Sequence, residues 1–452
     1  MVMARIEPTS LTPEQAFSRL RREPGCCWLD SGIGSSNIQR KSILAAHPYL
    51  TIRAWGQRIE RITPDCSSFH SGDSLEYLAN ELKTHTGGNS FEGGGVGHFS
   101  YEFGRRLAGQ PDHSGRAQRW PDFHFQFYHA VYVFDHETGR AKLHATDDQA
   151  GAAALDELRD KLFHPASEPI LREGGITSKT FTANRSKADY CTSVEAIREA
   201  IAAGEIYQAN LAQFFSTPFR GDPTALFSLL RQLNPAPFSA YLQQGDRQIL
   251  SSSPELFLRV EGDQIVTRPI KGTRPRGSTA EEDQACRSAL LASEKERAEL
   301  LMIVDMERND LGRIAQYGSV RVNELYHLES YATVHHLIGE VEARLRPNVS
   351  LGDILRATFP GGSITGAPKL RAMEIIAQQE PSPRDVFCGA IGWLGFNGDI
   401  ALNIAIRTIT CQEGRADFGV GAGIVWDSQP EAEYEETLHK AKALFTALET
   451  HK

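Results

Sequence analysis

The sequence predicts an α+β fold, and three observations carry that expectation. Short apolar runs such as Ala130–Phe134 alternate with turn residues up to about position 163. Beyond about position 184, helical and strand-like patterns are mixed. The two never settle into the strict alternation of a doubly wound parallel sheet. Between them, Phe163–Asn184 carries Pro165, Pro169, Gly174 and Gly175 among polar residues, the composition of a connection. The expected organisation is a strand-rich region 1–165, a linker 166–183 and a second region 184–450. No repeat of 20–50 residues and no low-complexity tract is present.

Taken in order, the adjacent thiols of Cys26-Cys-Trp-Leu29 read as small core residues of a strand. Gly93-Gly-Gly-Val-Gly97 reads as a tight turn or bulge. Asp189–Ala203 places Val194, Ile197 and Ile201 at helical spacing and stops at Gly204. Asp263–Pro269 reads as a strand, and Ser293–Met306 as a helix with a charged start and an apolar end. A Gly-rich turn leads into a helical run at Leu370–Gln378. Asp399–Arg407 alternates, with Leu402, Ile404 and Ile406 on one face. Pro430–Leu448 is a last helix, acidic early and basic later, as its macrodipole favours.

The chain has 452 residues, 40% hydrophobic and 23% charged, with a formal net charge of −9. Such a composition excludes collagen-like, coiled-coil and disordered proteins. The acidic balance argues against nucleic acid as a partner. No apolar run approaches the ~18 residues of a membrane span. The first residues lack a secretory leader, and seven cysteines without a CxxC pair read as reduced thiols, so the expected compartment is the cytoplasm.

Two helices carry carboxylates at i, i+3 spacing, Glu296 with Glu299 and Glu433 with Glu436, each pair on one face. Facing each other, they would suit Mg²⁺, which takes one or two carboxylates plus substrate oxygens; solvated helix faces are the plain alternative. Lys271, among the arginines of Arg268-Pro-Ile-Lys-Gly-Thr-Arg-Pro-Arg276, has the chemistry of an amine nucleophile or of a basic turn. Gly361-Gly-Ser-Ile-Thr-Gly-Ala-Pro-Lys369 fails as a phosphate loop, since Ala367 and Pro368 separate Gly366 from the lysine. It still offers backbone N–H groups to an anion, as does Gly419-Val-Gly-Ala-Gly423. His335 and His336 have no metal-ligand spacing. Together these point to a small polycarboxylate substrate with Mg²⁺.

The same segments resemble the chorismate-utilising enzymes. The resemblance runs from about Ala188 to Ala447 and is carried, in order, by Gly204-Glu-Ile-Tyr-Gln-Ala-Asn-Leu211, Ser252-Ser-Pro-Glu-Leu256, Pro269–Arg276, Glu294–Glu299, Val304–Gly312, Gly361–Lys369 and Gly419–Gly423. Trp28-Leu-Asp-Ser-Gly32 and Gly97–Gly104 extend it more weakly into the N-terminal part. It implies the anthranilate synthase component I-like fold: antiparallel sheets packed as a sandwich, helices outside, subdomains intertwined, the first ~180 residues forming a layer against the rest.

Within the family, Lys271 stands where anthranilate synthases carry Ala, and Gln208 where isochorismate and salicylate synthases carry a Lys base. The pair resembles the aminodeoxychorismate synthase branch, which aminates chorismate on the way to 4-aminobenzoate and folate. The resemblance makes Lys271 the nucleophile and Glu255 the general acid. It makes Gln208, Thr273, His336, Ser363, Trp393, Arg407, Gly421, Gly423 and Lys440 substrate contacts, and Glu299 and Glu436, with Glu296 and Glu433, the Mg²⁺ residues. Trp393 replaces a family Tyr expected at the substrate carboxylate, and Asp30 replaces a Glu of the family's tryptophan pocket, which argues against tryptophan feedback. No amidotransferase or lyase segment is recognisable, so a separate glutamine amidotransferase subunit is expected to supply ammonia. Anthranilate synthase component I and a non-catalytic chorismate-binding regulator are the alternatives.

Overall fold

A computed structural model of the chain describes residues 5–31, 40–83, 93–111, 117–164, 180–331 and 334–450. Most of the expected 166–183 linker therefore lies outside the described residues; Thr182–Ala183 is a short strand. Two 12-stranded sheets dominate, and every strand pair is antiparallel. The first sheet runs from Arg5–Thr9 through three more N-terminal strands to Cys27–Asp30. There it continues directly into Phe238–Gln244, Arg247–Ser253, Thr408–Gln412, Arg415–Ile424 and Gln208–Pro218. The second runs from Ile270–Pro275 and Val334–Arg344 to Ala390–Gly395, then into Gly94–Phe99 and four further N-terminal strands. The N-terminal strands are thus no layer on the remainder: they extend both sheets edge to edge.

Three apolar clusters account for the layering. Ile43, Leu242 and Ile249 of the first sheet meet Val96 and Ile391 of the second, filling the space between the sheets. Phe17, Phe227, Leu444 and Leu448 cover the outer face of the first sheet from helices Pro13–Leu20, Pro223–Leu233 and Pro430–Thr450. Leu300, Val304 and Leu311, on helix Glu294–Gly312, pack against Leu337 and Val341 of the second. Each fully buried side chain of this size contributes roughly 1.5–3 kcal/mol of transfer free energy. The four buried cysteines, 26, 27, 388 and 411, are free thiols in these cores.

The helices at 187–202, 294–312, 369–379 and 430–450 fall where the spacing predicts, the second running six residues beyond Met306. Gly93–Gly97 is a correction. It enters strand Gly94–Phe99, buried along its whole length, and not a turn. A Cβ on Gly97 would stand 1.9 Å from the carbonyl oxygen of His124, so the glycine is there for close approach of two strands. Ile400–Ile404 is likewise buried on both faces, Asn403 included, because the second sheet is covered on both sides.

Candidate active site

The chain crosses from the first sheet to the second between Ser253 and Leu256, and returns between Ile404 and Thr408. These neighbouring crossovers carry Glu255 and Arg407. The Ile404 N–H donates to the Glu255 carbonyl at 3.0 Å, and the Ser252 N–H to the Arg407 carbonyl at 3.1 Å. Arg407 takes a φ of 50°, a left-handed conformation costly for a residue with a Cβ. Its guanidinium donates to Asn234 Oδ1 at 3.3 Å. Burial draws the Arg407 pKa down to about 10, opposed by the charge of Glu255. Burial likewise pushes the Glu255 carboxyl up, against the pull of Ser363, Lys271, the Ile270 N–H and Arg407.

Lys271 lies on Ile270–Pro275, beside Val334–Arg344, and the register shifts between Lys271 and Thr273. Gly272 makes that bulge with a φ of 76°; a Cβ there would lie 2.8 Å from Leu290 and 3.0 Å from a carboxylate oxygen of Glu296. The bulge leaves Thr273 opposite His336, with 2.9 Å between Thr273 Oγ1 and His336 Nδ1. Lys271 Nζ donates to the Ser363 carbonyl at 3.2 Å.

Gly419, Gly421 and Gly423 alternate along one face of Arg415–Ile424. Phe387 and Phe214 close on Gly419, the Asn210 amide on Gly421, and the Gln208 amide on Gly423. A Cβ on Gly423 would stand 2.3 Å from Gln208 Nε2 and 3.8 Å from Lys271 Nζ. Lys440 Nζ donates to the Gly421 carbonyl at 3.1 Å and pairs with Glu436 at 2.7 Å.

Gln208, Glu255, Lys271, Thr273, His336, Ser363, Arg407, Gly421, Gly423 and Lys440 are thereby linked by contact or charge into one region. Two of its buried polar atoms, Gln208 Oε1 and His336 Nε2, have no hydrogen-bond partner among the described residues. Unpaired buried atoms gathered in one place are the mark of a site that takes a polar ligand. Burial and the nearby Arg407 lower the His336 pKa to about 3, so His336 meets a ligand neutral. Its neighbour His335 is an anchor, 2.8 Å from Ser330 Oγ and 2.9 Å from Asp283 Oδ1.

The four glutamates stand on two helices that bring them into electrostatic range. Burial raises the Glu299 carboxyl, with Glu296 and Glu436 adding to the rise and Lys271 and Lys295 opposing it. Burial works against charge on Glu436 too, but Lys440, Lys295 and Lys271 carry it below the ordinary value. Glu433, buried, accepts from Ser428 Oγ at 2.6 Å, and Arg274 reaches Glu296 at 3.3 Å. No set of three or more such side chains stands at metal-binding spacing among the described residues. Hard carboxylate oxygens from two helices within electrostatic range of each other still suit Mg²⁺, which takes one or two protein carboxylates and completes its shell with substrate oxygens and water.

Trp393 is the correction. It lines a cavity of about 740 Å³ with Leu29, Asp30, Ser31 and Pro237, a different place from Lys271. The strand pattern turns its side chain to the seam between N- and C-terminal strands, which motif position alone does not show. Asp30 is tied down there by Arg231 at 2.5 Å and Ser42 at 2.6 Å, and its pKa falls to about 2 despite burial. Lys369, at the end of the Gly-rich turn, is bonded to Asp310 at 2.5 Å and to the Thr358 carbonyl at 3.0 Å. It fixes the turn that presents Ser363.

Two residues escaped sequence reasoning. Glu307 is buried beside Glu255, and its signal was legible, since it occupies the apolar stripe Leu300, Ile303, Val304, Leu311 of its helix. Arg384 is fully buried, and apart from its pairing with Glu380 four residues before it, nothing in its local sequence marks it.

A two-sheet body with an anion-binding cluster of this composition defines a class of enzyme acting on a small carboxylate. The chain belongs to the chorismate binding enzyme family, whose sequence pattern matches residues 25–446. It is 38% identical to aminodeoxychorismate synthase component 1 of Klebsiella aerogenes over 444 residues, covering 97% of this chain and 96% of that one. It is 36% identical to anthranilate synthase component 1 of Acetivibrio thermocellus, covering 97% and 93%. Its structure is similar to that of anthranilate synthase component I from Streptococcus pneumoniae, with a TM-score of 0.78, 32% identity and coverage of 98% and 100%.

Proposed function

We propose that this chain converts chorismate and ammonia to 4-amino-4-deoxychorismate, the activity in the name of its aminodeoxychorismate synthase relatives. The observation that carries the reading is the placement of Lys271 Nζ, 3.2 Å from the Ser363 carbonyl and next to Gly423, in the same cluster as the buried acid Glu255. Its unprotonated amine attacks C2 of the ring while Glu255 protonates the departing C4 hydroxyl, which leaves as water as both double bonds of the ring diene shift along the conjugated path from C2 to C4. Ammonia then adds at C4, both double bonds shift back, and the C2–N bond breaks, returning the amine to Lys271. A proton from the new ammonium restores Glu255.

Arg407, Lys440 and the bare backbone at Gly421 and Gly423 orient the carboxylates, with neutral His336 and Thr273 beside the enolpyruvyl group. Glu299 and Glu436, with Glu296 and Glu433 close by, would hold Mg²⁺, which supplies positive charge for the ring carboxylate. A glutamine amidotransferase partner in the cytoplasm would deliver the ammonia, in keeping with the "component 1" of the relatives' names. No helix among the described residues is long and apolar enough to cross a membrane.

The test is product analysis with chorismate, Mg²⁺ and ammonium. The expected product is 4-amino-4-deoxychorismate without pyruvate. Fluorescent anthranilate with pyruvate would replace this reading by the anthranilate one, and chorismate binding without turnover by the regulator. Intact mass after chorismate exposure without ammonia should show an adduct that Lys271→Ala lacks.

A further inference from the structure

We propose that Arg384 is a positioning residue for this pocket, setting the spacing of two of its walls. The guanidinium is fully buried and lies 4.5 Å over the Tyr101 ring. It donates to the Asn210 carbonyl at 2.6 Å and to the Ile364 carbonyl at 2.8 Å. Asn210 follows Gln208 by two residues, and its amide faces Gly421. Ile364 follows Ser363, whose carbonyl receives Lys271. One rigid planar group therefore spans the strand that carries Gln208 and the turn that carries Ser363.

The group is itself fixed. Glu380 accepts from its Nε at 2.9 Å and its Nη2 at 2.7 Å, and from the Ala212 N–H at 2.8 Å, on the same strand as Asn210. From the N-terminal part, the Glu102 carboxylate takes the N–H groups of Arg384 and Asp385, both at 2.8 Å. The Tyr101 N–H donates to the Asp385 carbonyl at 2.9 Å, where the backbone φ is 52°. A lysine would keep the charge, but a point ammonium has no fork to hold two carbonyls and a carboxylate in one plane. None of these groups has to touch substrate, which is why the role is positioning. It also gives N-terminal residues 101 and 102 a part in active-site geometry.

The inference rests on the reading that this pocket turns over chorismate, and wild-type turnover is the control for that reading. The experiment compares Arg384→Lys and Glu102→Gln with wild type, well below their melting temperatures. Rates are normalised to chorismate-binding stoichiometry, so that only competent sites count. Misplacing reacting groups by about an ångström costs on the order of 10²-fold. Arg384→Lys should lose about that in kcat with KM for chorismate within about threefold, and Glu102→Gln should lose kcat in the same sense by a smaller factor. A merely structural residue would lower melting temperature and stoichiometry and leave kcat per competent site at the wild-type value; that result overturns the proposal. Should Arg384→Lys fail to fold, Glu102→Gln decides: unchanged kcat per site overturns the proposal, a loss in kcat at constant KM sustains it. Absence of wild-type turnover would instead strike the functional reading.

Discussion

Glu307→Gln should make the protein more stable as pH rises, because Glu307 is held as a neutral acid. The Thr267 hydroxyl shares its one proton between the Phe257 carbonyl at 2.7 Å and Glu307 Oε2 at 3.0 Å, both of which accept. Burial first, and then the nearby charges of Glu255 and Asp310, push its pKa well above 4.5, with Thr267 and Lys369 opposing. The folded chain thus keeps a proton that the unfolded chain releases above about pH 4.5, and stability falls with rising pH until folded Glu307 ionises. The slope for one such proton is about 1.4 kcal/mol per pH unit. The amide oxygen of a glutamine accepts from Thr267 as the carboxyl does, and the amide has no proton to lose. Urea unfolding of both proteins across a pH series above about 4.5 should show a gap in favour of the variant that widens with pH, by at most about 1.4 kcal/mol per unit, for as long as folded Glu307 stays neutral. Glu255, Asp310 and Lys369 are present in both proteins and largely cancel. A gap that stays constant with pH, or closes, refutes a neutral Glu307.

Four further outcomes follow from the same geometry. Glu255→Gln removes the donor for the C4 hydroxyl, so turnover should drop by about 10²–10⁴-fold; in the wild type the rate should fade as pH rises through the elevated Glu255 pKa, and pH–rate profiles of both proteins check this. Gly423→Ala places a Cβ 2.3 Å from the Gln208 amide, and kcat/KM should fall at least about tenfold with little change in melting temperature, since the clash is with a side chain in the pocket. Chelation of Mg²⁺ should abolish turnover, and Glu299→Gln or Glu436→Gln should raise the Mg²⁺ concentration for half-maximal rate, read by titration. Trp393→Tyr should leave KM for chorismate unchanged, because Trp393 lines the cavity beside Asp30.

What could be read in advance follows the range of the interaction. The helix at 294–312 announces itself by Ser293 as its cap and by its apolar stripe, both local signals. The acid pairs at i, i+3 were legible for the same reason, but that their two helices approach each other is a tertiary fact. Gly93–Gly97 misled because a glycine run has one appearance in a turn and in a strand pressed against a neighbour; only the 1.9 Å approach of His124 O distinguishes them. Trp393 misled because a one-residue change of face in a strand sends a side chain to another cavity. Arg384 was invisible, since its partners Asn210, Ile364 and Glu102 lie 174, 20 and 282 residues away.

The strand order bears on how such a site can be rigid. Cys27–Asp30 pairs with Ser239–Leu242 residue for residue, and Gly94–Phe99 with Ala390–Gly395 over six consecutive pairs. Severing the N-terminal part from residues 184–450 would therefore open two buried strands in each sheet, leaving four unpaired edges in the middle of the protein. A hinge between two units would need the opposite arrangement, with few contacts crossing a small interface. The crossovers bearing Glu255 and Arg407 join C-terminal strands of the two sheets within two strands of these seams. The acid, the arginine and, through Arg384, the walls at Gln208 and Ser363 are consequently held by the two sheets as one body.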